Sequence, residues 1–240
     1  MFKTKLTATL ASAFALALGM ASVPAEADLI FNFLPTNTFS GTAPAGTLTA
    51  DFSVVSANQV QLVITSSLAS GENLDPGKAL YLNFNDAKVS DLPSLTFALT
   101  AFAGGFSEAA VVMAQDDAFK PDGDGATDIL FTYGSSTKAF TNGESQTYLI
   151  TDTAGTLSPS DFDFPSDCGS GCGTGSHLAA IHVQNTPSGG SGSAFVGACD
   201  AGLPGCTSGP PNDAPEPSAL ALLGGALAAL GLTRRRRKSS

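Results

Sequence analysis

Tryptophan is absent from the 240 residues, tyrosine occurs three times and histidine twice, and only 13% of the chain is charged. About 25% is usual, so Ser, Thr, Asn, Gln and Gly must cover most of the surface. Arginine is missing until Arg234, and the stretch 28–213 holds four cations, Lys78, Lys88, Lys120 and Lys138, against 19 Asp and Glu, a net −15. Such a chain repels phosphate backbones, which excludes DNA and RNA as partners and leaves no basic cluster to clamp a phosphate. There is no G-x-S-x-G elbow of the α/β-hydrolases and no repeat of 20 to 50 residues of the kind that builds solenoids and propellers. What remains is 43% hydrophobic content, enough for one core, so global disorder is excluded.

The two ends read as addresses. Lys3 and Lys5 precede an apolar stretch from about Leu6 to Met20, and Ala25-Glu26-Ala27 follows. That order describes a secretory signal peptide over 1–27, with Ala25 and Ala27 in the signal-peptidase pockets and Asp28 as the first mature residue. A retained anchor is the alternative, against which the apolar stretch is short for a bilayer span. At the other end, Pro215-Glu216-Pro217 is followed by an apolar run, Ala219 to Leu232, and then by Arg234, Arg235, Arg236, Arg237 and Lys238. As a helix those 14 apolar residues reach roughly 21 Å, short of the ~30 Å hydrocarbon core, so spanning needs help from the flanks or a thinned bilayer. The basic cluster would hold its end on the cytoplasmic face and leave the Pro-Glu-Pro motif at the outer face.

These three features in this order resemble the PEP-CTERM sorting signal, over 215–238. The resemblance implies a Gram-negative bacterial protein whose C-terminal helix enters the inner membrane transiently. Exosortase, a membrane cysteine protease, would then cut near Pro215-Glu216-Pro217 and pass the chain to the cell surface or extracellular matrix. Signal peptidase and exosortase are the expected partners during export, and a plain C-terminal anchor is the alternative.

Between the addresses the chain shows period-two patterning without a sustained helical period. In Thr47 to Val54, Leu48, Ala50, Phe52 and Val54 alternate with Thr47, Thr49, Asp51 and Ser53, which predicts a strand with one buried face. Leu80, Leu82 and Phe84 repeat this against Tyr81, Asn83 and Asn85. Further strands are predicted at 29–34, 59–65, 94–103, 108–114, 127–133, 147–151, 177–183 and 194–196, separated by turn signals such as Asp75-Pro76-Gly77 and Asn142-Gly143. The fold class expected is all-β, a single β-sandwich or jelly-roll-like domain over 28–197, followed by a flexible Gly/Pro/Ser stalk over 198–214.

Chemistry is sparse. Cys168, Cys172, Cys199 and Cys206 in an exported chain point to disulfides, with local pairing, Cys168 with Cys172 and Cys199 with Cys206, the preferred of three connectivities. Zinc on these cysteines with His177 and His182 fits poorly: the spacings depart from structural zinc patterns, and the histidines, five apart in a predicted strand, would face opposite ways. The PDGDGATD segment offers Asp122, Asp124 and Asp128 as a weak calcium candidate beside Asp116 and Asp117, although it lacks the Gly and Glu of an EF-hand. Its alternative is a solvated turn. Asp161 and Asp163 could serve glycosidase chemistry, but DFDFP reads more simply as a strand with Phe162 and Phe164 buried and both acids wet. Tyr81, expected on the outer face, is a possible sugar platform.

The functional expectation is therefore an exported, non-enzymatic protein with a structural or adhesive role at the surface or in the exopolysaccharide matrix. No cofactor is expected, with a weakly bound calcium ion as the alternative. The alternatives are a carbohydrate- or calcium-binding module and a secreted hydrolase.

Overall fold

Two antiparallel sheets account for the architecture in the computed structural model, which describes residues 28–115, 118–134, 138–168, 176–187 and 192–198. The first sheet has the order β1-β3-β4-β10-β7, built from β1 (Leu29–Phe33), β3 (Thr47–Ser56), β4 (Gln59–Ser67), β10 (Ser145–Asp152) and β7 (Leu95–Ala103). The second runs β2-β12-β11-β6-β9-β8, from β2 (Thr38–Gly41), β12 (Gly192–Ala198), β11 (Ala179–Thr186), β6 (Leu80–Leu82), β9 (Ile129–Thr132) and β8 (Ala110–Met113), with β5 (Asn73–Leu74) also paired to β11. The all-β sandwich expected from the alternation is the fold found. Each of the ten strands anticipated is present; β2 and β5, four and two residues long, are too short for a period to show.

Alternation works where a strand has one wet face. In the β3–β4 hairpin Ala50 stands opposite Ile64 and Phe52 opposite Leu62, all four fully buried. Phe52 meets Phe31 edge-on at 5.6 Å and stacks on Phe162 at 4.8 Å. Each such buried ring contributes roughly 1.5–3 kcal/mol. The second sheet differs, because β6, β9 and the start of β11 are buried on both faces. Tyr81 is therefore not an exposed platform: it is 1% exposed, in a separate cluster with Leu130 and Ala180 that Phe39, Phe119 and Phe195 cover from outside.

The segment around Asp161 is also not a strand. Pro159–Phe162 forms a single 3-10 turn. Ser158, Pro159 and Asp161 supply the start signal for such a turn, since the Asp161 carboxylate accepts the Ser158 N–H at 2.9 Å while Pro fits the first position. Asp161 is buried and takes an ion pair from Lys88 Nζ at 2.8 Å. Only Asp163 of the two acids is exposed.

Asp161 is one of a set of carboxylates that hold loops by their amides. Glu72, 3% exposed, accepts N–H groups from Ala45 (2.6 Å), Gly46 (3.1 Å) and Ala69 (2.9 Å). Glu144 accepts from Gly105 (2.7 Å) and Thr141 (2.6 Å). Gly104, at φ +133°, leaves room for this contact where any Cβ would strike the Glu144 side chain. At Asp152 burial alone would raise the carboxyl pKa, but hydrogen bonds from the Ser94 hydroxyl and the Ala154 amide outweigh it and hold it below the usual value.

Replacing Glu72 by alanine takes the acceptor from three amides in two loops. Gly46 is buried while Ala45 is exposed and Ala69 half-buried, so two of the amides can turn to water; with a buried unsatisfied group costing about 1–3 kcal/mol, chemical denaturation of Glu72→Ala is expected to show a loss of that order, with Glu72→Gln recovering part of it.

Candidate functional site

The outer face of the second sheet carries the chain's two histidines. On this face β11 presents Ala180 and His182, β12 presents Phe195 opposite His182 and Gly197 opposite Ala180, and β6 presents Tyr81 opposite Ala180 on the other side. Gly197 is required here, because a Cβ would overlap the His177 ring. Four rings form a continuous row: His177 stacks on Phe39 (4.5 Å, 23°), Phe39 on Phe195 (6.0 Å, 28°) and Phe195 on His182 (4.1 Å, 8°). Both imidazoles therefore lie on one face. The period-two count fails because His177 precedes β11 instead of belonging to it.

An acidic rim surrounds the row. Asp75 Oδ2 lies 3.3 Å from His182 Nδ1 and also accepts the Gln184 side-chain amide. Its other oxygen takes the Gly77 and Lys78 N–H groups at 2.7 and 3.0 Å. Burial lowers the His182 pKa, and Lys78 adds to this, while Asp75 and Asp122 pull the other way. Burial, then Asp75 and Asp122, push the Tyr81 phenol well above its usual range, and its buried hydroxyl has no hydrogen-bond partner.

At the far end of the row, Asp124 Oδ1 gathers the Ser166 hydroxyl (2.7 Å), the Gly125 N–H (2.8 Å) and the His177 N–H (3.3 Å), with His177 Nδ1 at 3.2 Å. Ser, His and Asp are the residue types of a hydrolytic triad, but here the serine hydroxyl donates to the aspartate and all three are at most 3% exposed. The arrangement joins two loops.

The calcium candidates are not brought together. Asp124 points into this buried knot, Asp128 accepts the Phe84 N–H at 3.1 Å, and Asp122 is exposed near Tyr81 and His182. Among the described residues no group of three His, Cys, Asp or Glu side chains could hold a metal ion. The carboxylates at 124 and 128 serve amides and a hydroxyl, which alternate spacing alone does not reveal. Asp116 and Asp117 lie outside the described residues, as do Cys172, Cys199 and Cys206, so the pairing expected of the cysteines does too. Cys168 is disulfide-bonded.

Residues 213–238 match the family of the PEP-CTERM protein-sorting motif. The chain carries a PEP-CTERM sorting signal. It marks an exported protein that exosortase processes and sorts to the cell surface. No curated protein and no solved structure matches the chain. Pro215, Glu216, Pro217 and the basic cluster from Arg234 to Lys238 fall inside the PEP-CTERM match, though outside the described residues, as does the signal peptide expected over 1–27. Among the described residues no helix is long and apolar enough to cross a membrane.

Two outcomes follow for this face. Because the folded-state pKa of His182 lies below the ordinary value near 6.5, the unfolded chain binds more protons. The corresponding stability is present above that value and is lost as pH falls through it. Stability measured between about pH 7 and pH 5 should fall more steeply for the native protein than for His182→Gln. Millimolar calcium should leave the melting temperature of the native protein unchanged, since among the described residues no three acidic or histidine side chains gather to hold an ion.

Proposed function

We propose that this chain is a structural or adhesive component of the cell surface or exopolysaccharide matrix of a Gram-negative bacterium. On this reading the signal peptide directs export and the apolar run from Ala219 to Leu232 holds the precursor briefly in the inner membrane. Exosortase then cuts near Pro215-Glu216-Pro217, and the domain is displayed or released. The observation that carries the proposal is the sorting match at residues 213–238. The character of the domain supports it: net −15 over 28–213 favours hydration and solubility outside the cell, and its best-placed carboxylates are committed to holding loops.

A second reading, carbohydrate binding, is favoured by one feature, the row of stacked rings beside Asp75 and Gln184. Rings at a partly exposed surface can take the apolar face of a sugar while neighbouring carboxylate and amide groups accept and donate to its hydroxyls. Binding of matrix polysaccharide that is lost in Phe195→Ala would support it.

Sorting is tested directly by replacing Pro215, Glu216 and Pro217 with alanines in the native host. The expected outcome is an uncleaved precursor in the inner-membrane fraction and loss of surface signal, read by fractionation, immunoblotting and intact mass. Unchanged processing and unchanged surface arrival would overturn the proposal.

A further inference from the structure

Asp51 lies in β3 between Ala50 and Phe52, both fully buried in the core, so its side chain stands on the outer face of the first sheet. On that face Ile30 of β1 is opposite it on one side and Val63 of β4 on the other. It is the only charged residue in β1, β3 and β4, which read LIFNF, TLTADFSVVS and QVQLVITSS. The four lysines of 28–213 all lie outside these strands, and among the described residues no basic side chain pairs with Asp51. The side chain is half-buried, with Oδ1 enclosed and without a hydrogen-bond partner. Burial raises the Asp51 pKa, and the negative charge of Asp28 raises it further. A carboxylate in such a place opposes folding unless a cation reaches it.

Asp28 is the residue through which a cation can arrive. Leu29 pairs with Phe52 and Ile30 with Asp51, and continuing that register puts residue 28 opposite Ser53, on the face that Asp51 shares. Residues 28 and 51 are then diagonal neighbours, about 7–8 Å apart, a separation that side chains still bridge. In the precursor the nitrogen of Asp28 is a neutral amide, and the residue brings only a negative charge. Cleavage after Ala27 turns that nitrogen into an α-amine, whose ordinary pKa of about 7.7–8.0 leaves it charged at neutral pH.

We propose that removal of the signal peptide completes the first sheet: the new α-ammonium of Asp28 pairs with the Asp51 carboxylate and pins the start of β1, an edge strand, to β3. Before cleavage this corner of the sheet holds two like charges. After it, the missing positive charge stands on one of the same two residues. Chain ends fray unless something ties them down, and here the tie forms only once the chain has crossed the membrane and been cut. The inference rests on the signal-peptide reading of 1–27, with Asp28 as the first mature residue.

The exported protein, purified from its host, is expected to begin at Asp28 by mass spectrometry. Selective acetylation of the α-amine then removes its charge without altering a side chain. Native protein and Asp51→Asn, each with the free and the acetylated amine, are compared by chemical denaturation. Acetylation should lower the folded-to-unfolded ratio of the native protein by roughly two- to fivefold, the range of a solvent-exposed ion pair, and leave that of Asp51→Asn unchanged. The substitution itself should destabilise only the free-amine protein. A pH titration of the amine supplies a second measurement. Pairing raises its folded-state pKa above the unfolded value, so the added stability is complete below about pH 7.7 and is lost as pH rises through the raised value. In Asp51→Asn the amine should titrate in its ordinary range. Equal effects of acetylation in the two proteins, or equal amine pKa values, would overturn the proposal and leave export in place. A mature terminus at another residue would overturn the proposal together with the cleavage site on which it rests.

Discussion

The hydrogen bond from a backbone amide to a buried carboxylate is the interaction on which the loops of this domain depend. Glu72, Asp75, Asp124, Asp128, Glu144, Asp152 and Asp161 each accept at least one backbone N–H. A buried carboxylate needs partners, and with four lysines available over 28–213 the chain supplies amides instead of cations. Lys88 is the only lysine among the described residues with an ion pair. This choice has a structural benefit, because loops that leave a sheet have unpaired N–H groups of their own, and one carboxylate satisfies two or three of them while fixing the path of the chain.

The second constraint is the double burial of the second sheet. Its inner face packs on the first sheet, and its outer face is closed by Phe39, Phe119 and Phe195 over Tyr81, Leu130 and Ala180. A strand buried on both faces loses its polar alternation. The LYL of β6 and the ILF of β9 are consequently apolar throughout, and the hydroxyl of Tyr81 is carried inside with them.

These two constraints decide what could be read in advance. Strands with one wet face, such as Thr47–Ser56 and Gln59–Ser67, announce themselves by alternation, and the sandwich follows from their number and spacing. The position of Tyr81 could not be read this way, because nothing local in Leu80-Tyr81-Leu82 says that a second apolar layer arrives from Phe39 and Phe195. The turn at Pro159–Phe162 was legible in principle from Ser158, Pro159 and Asp161, but the alternating Phe162 and Phe164 mask it. The ring row and the Asp124 knot were not legible at all: Asp124 and the His177 N–H that it accepts are 53 positions apart, and only the tertiary fold makes them neighbours. The sorting signal is the opposite case, recognised from the order of its residues alone.

The place of β12 in its sheet has a mechanical consequence. It is the last described strand before the sorting signal, and it lies between β2 and β11. Tension on the C-terminal tail therefore enters the domain along β12, whose ladders resist on both sides, instead of peeling a free edge. The lateral edges β7 and β8 lie at the other end of the strand order, so a pull on the C-terminus of the described domain would reach them only after crossing the ladders that flank β12.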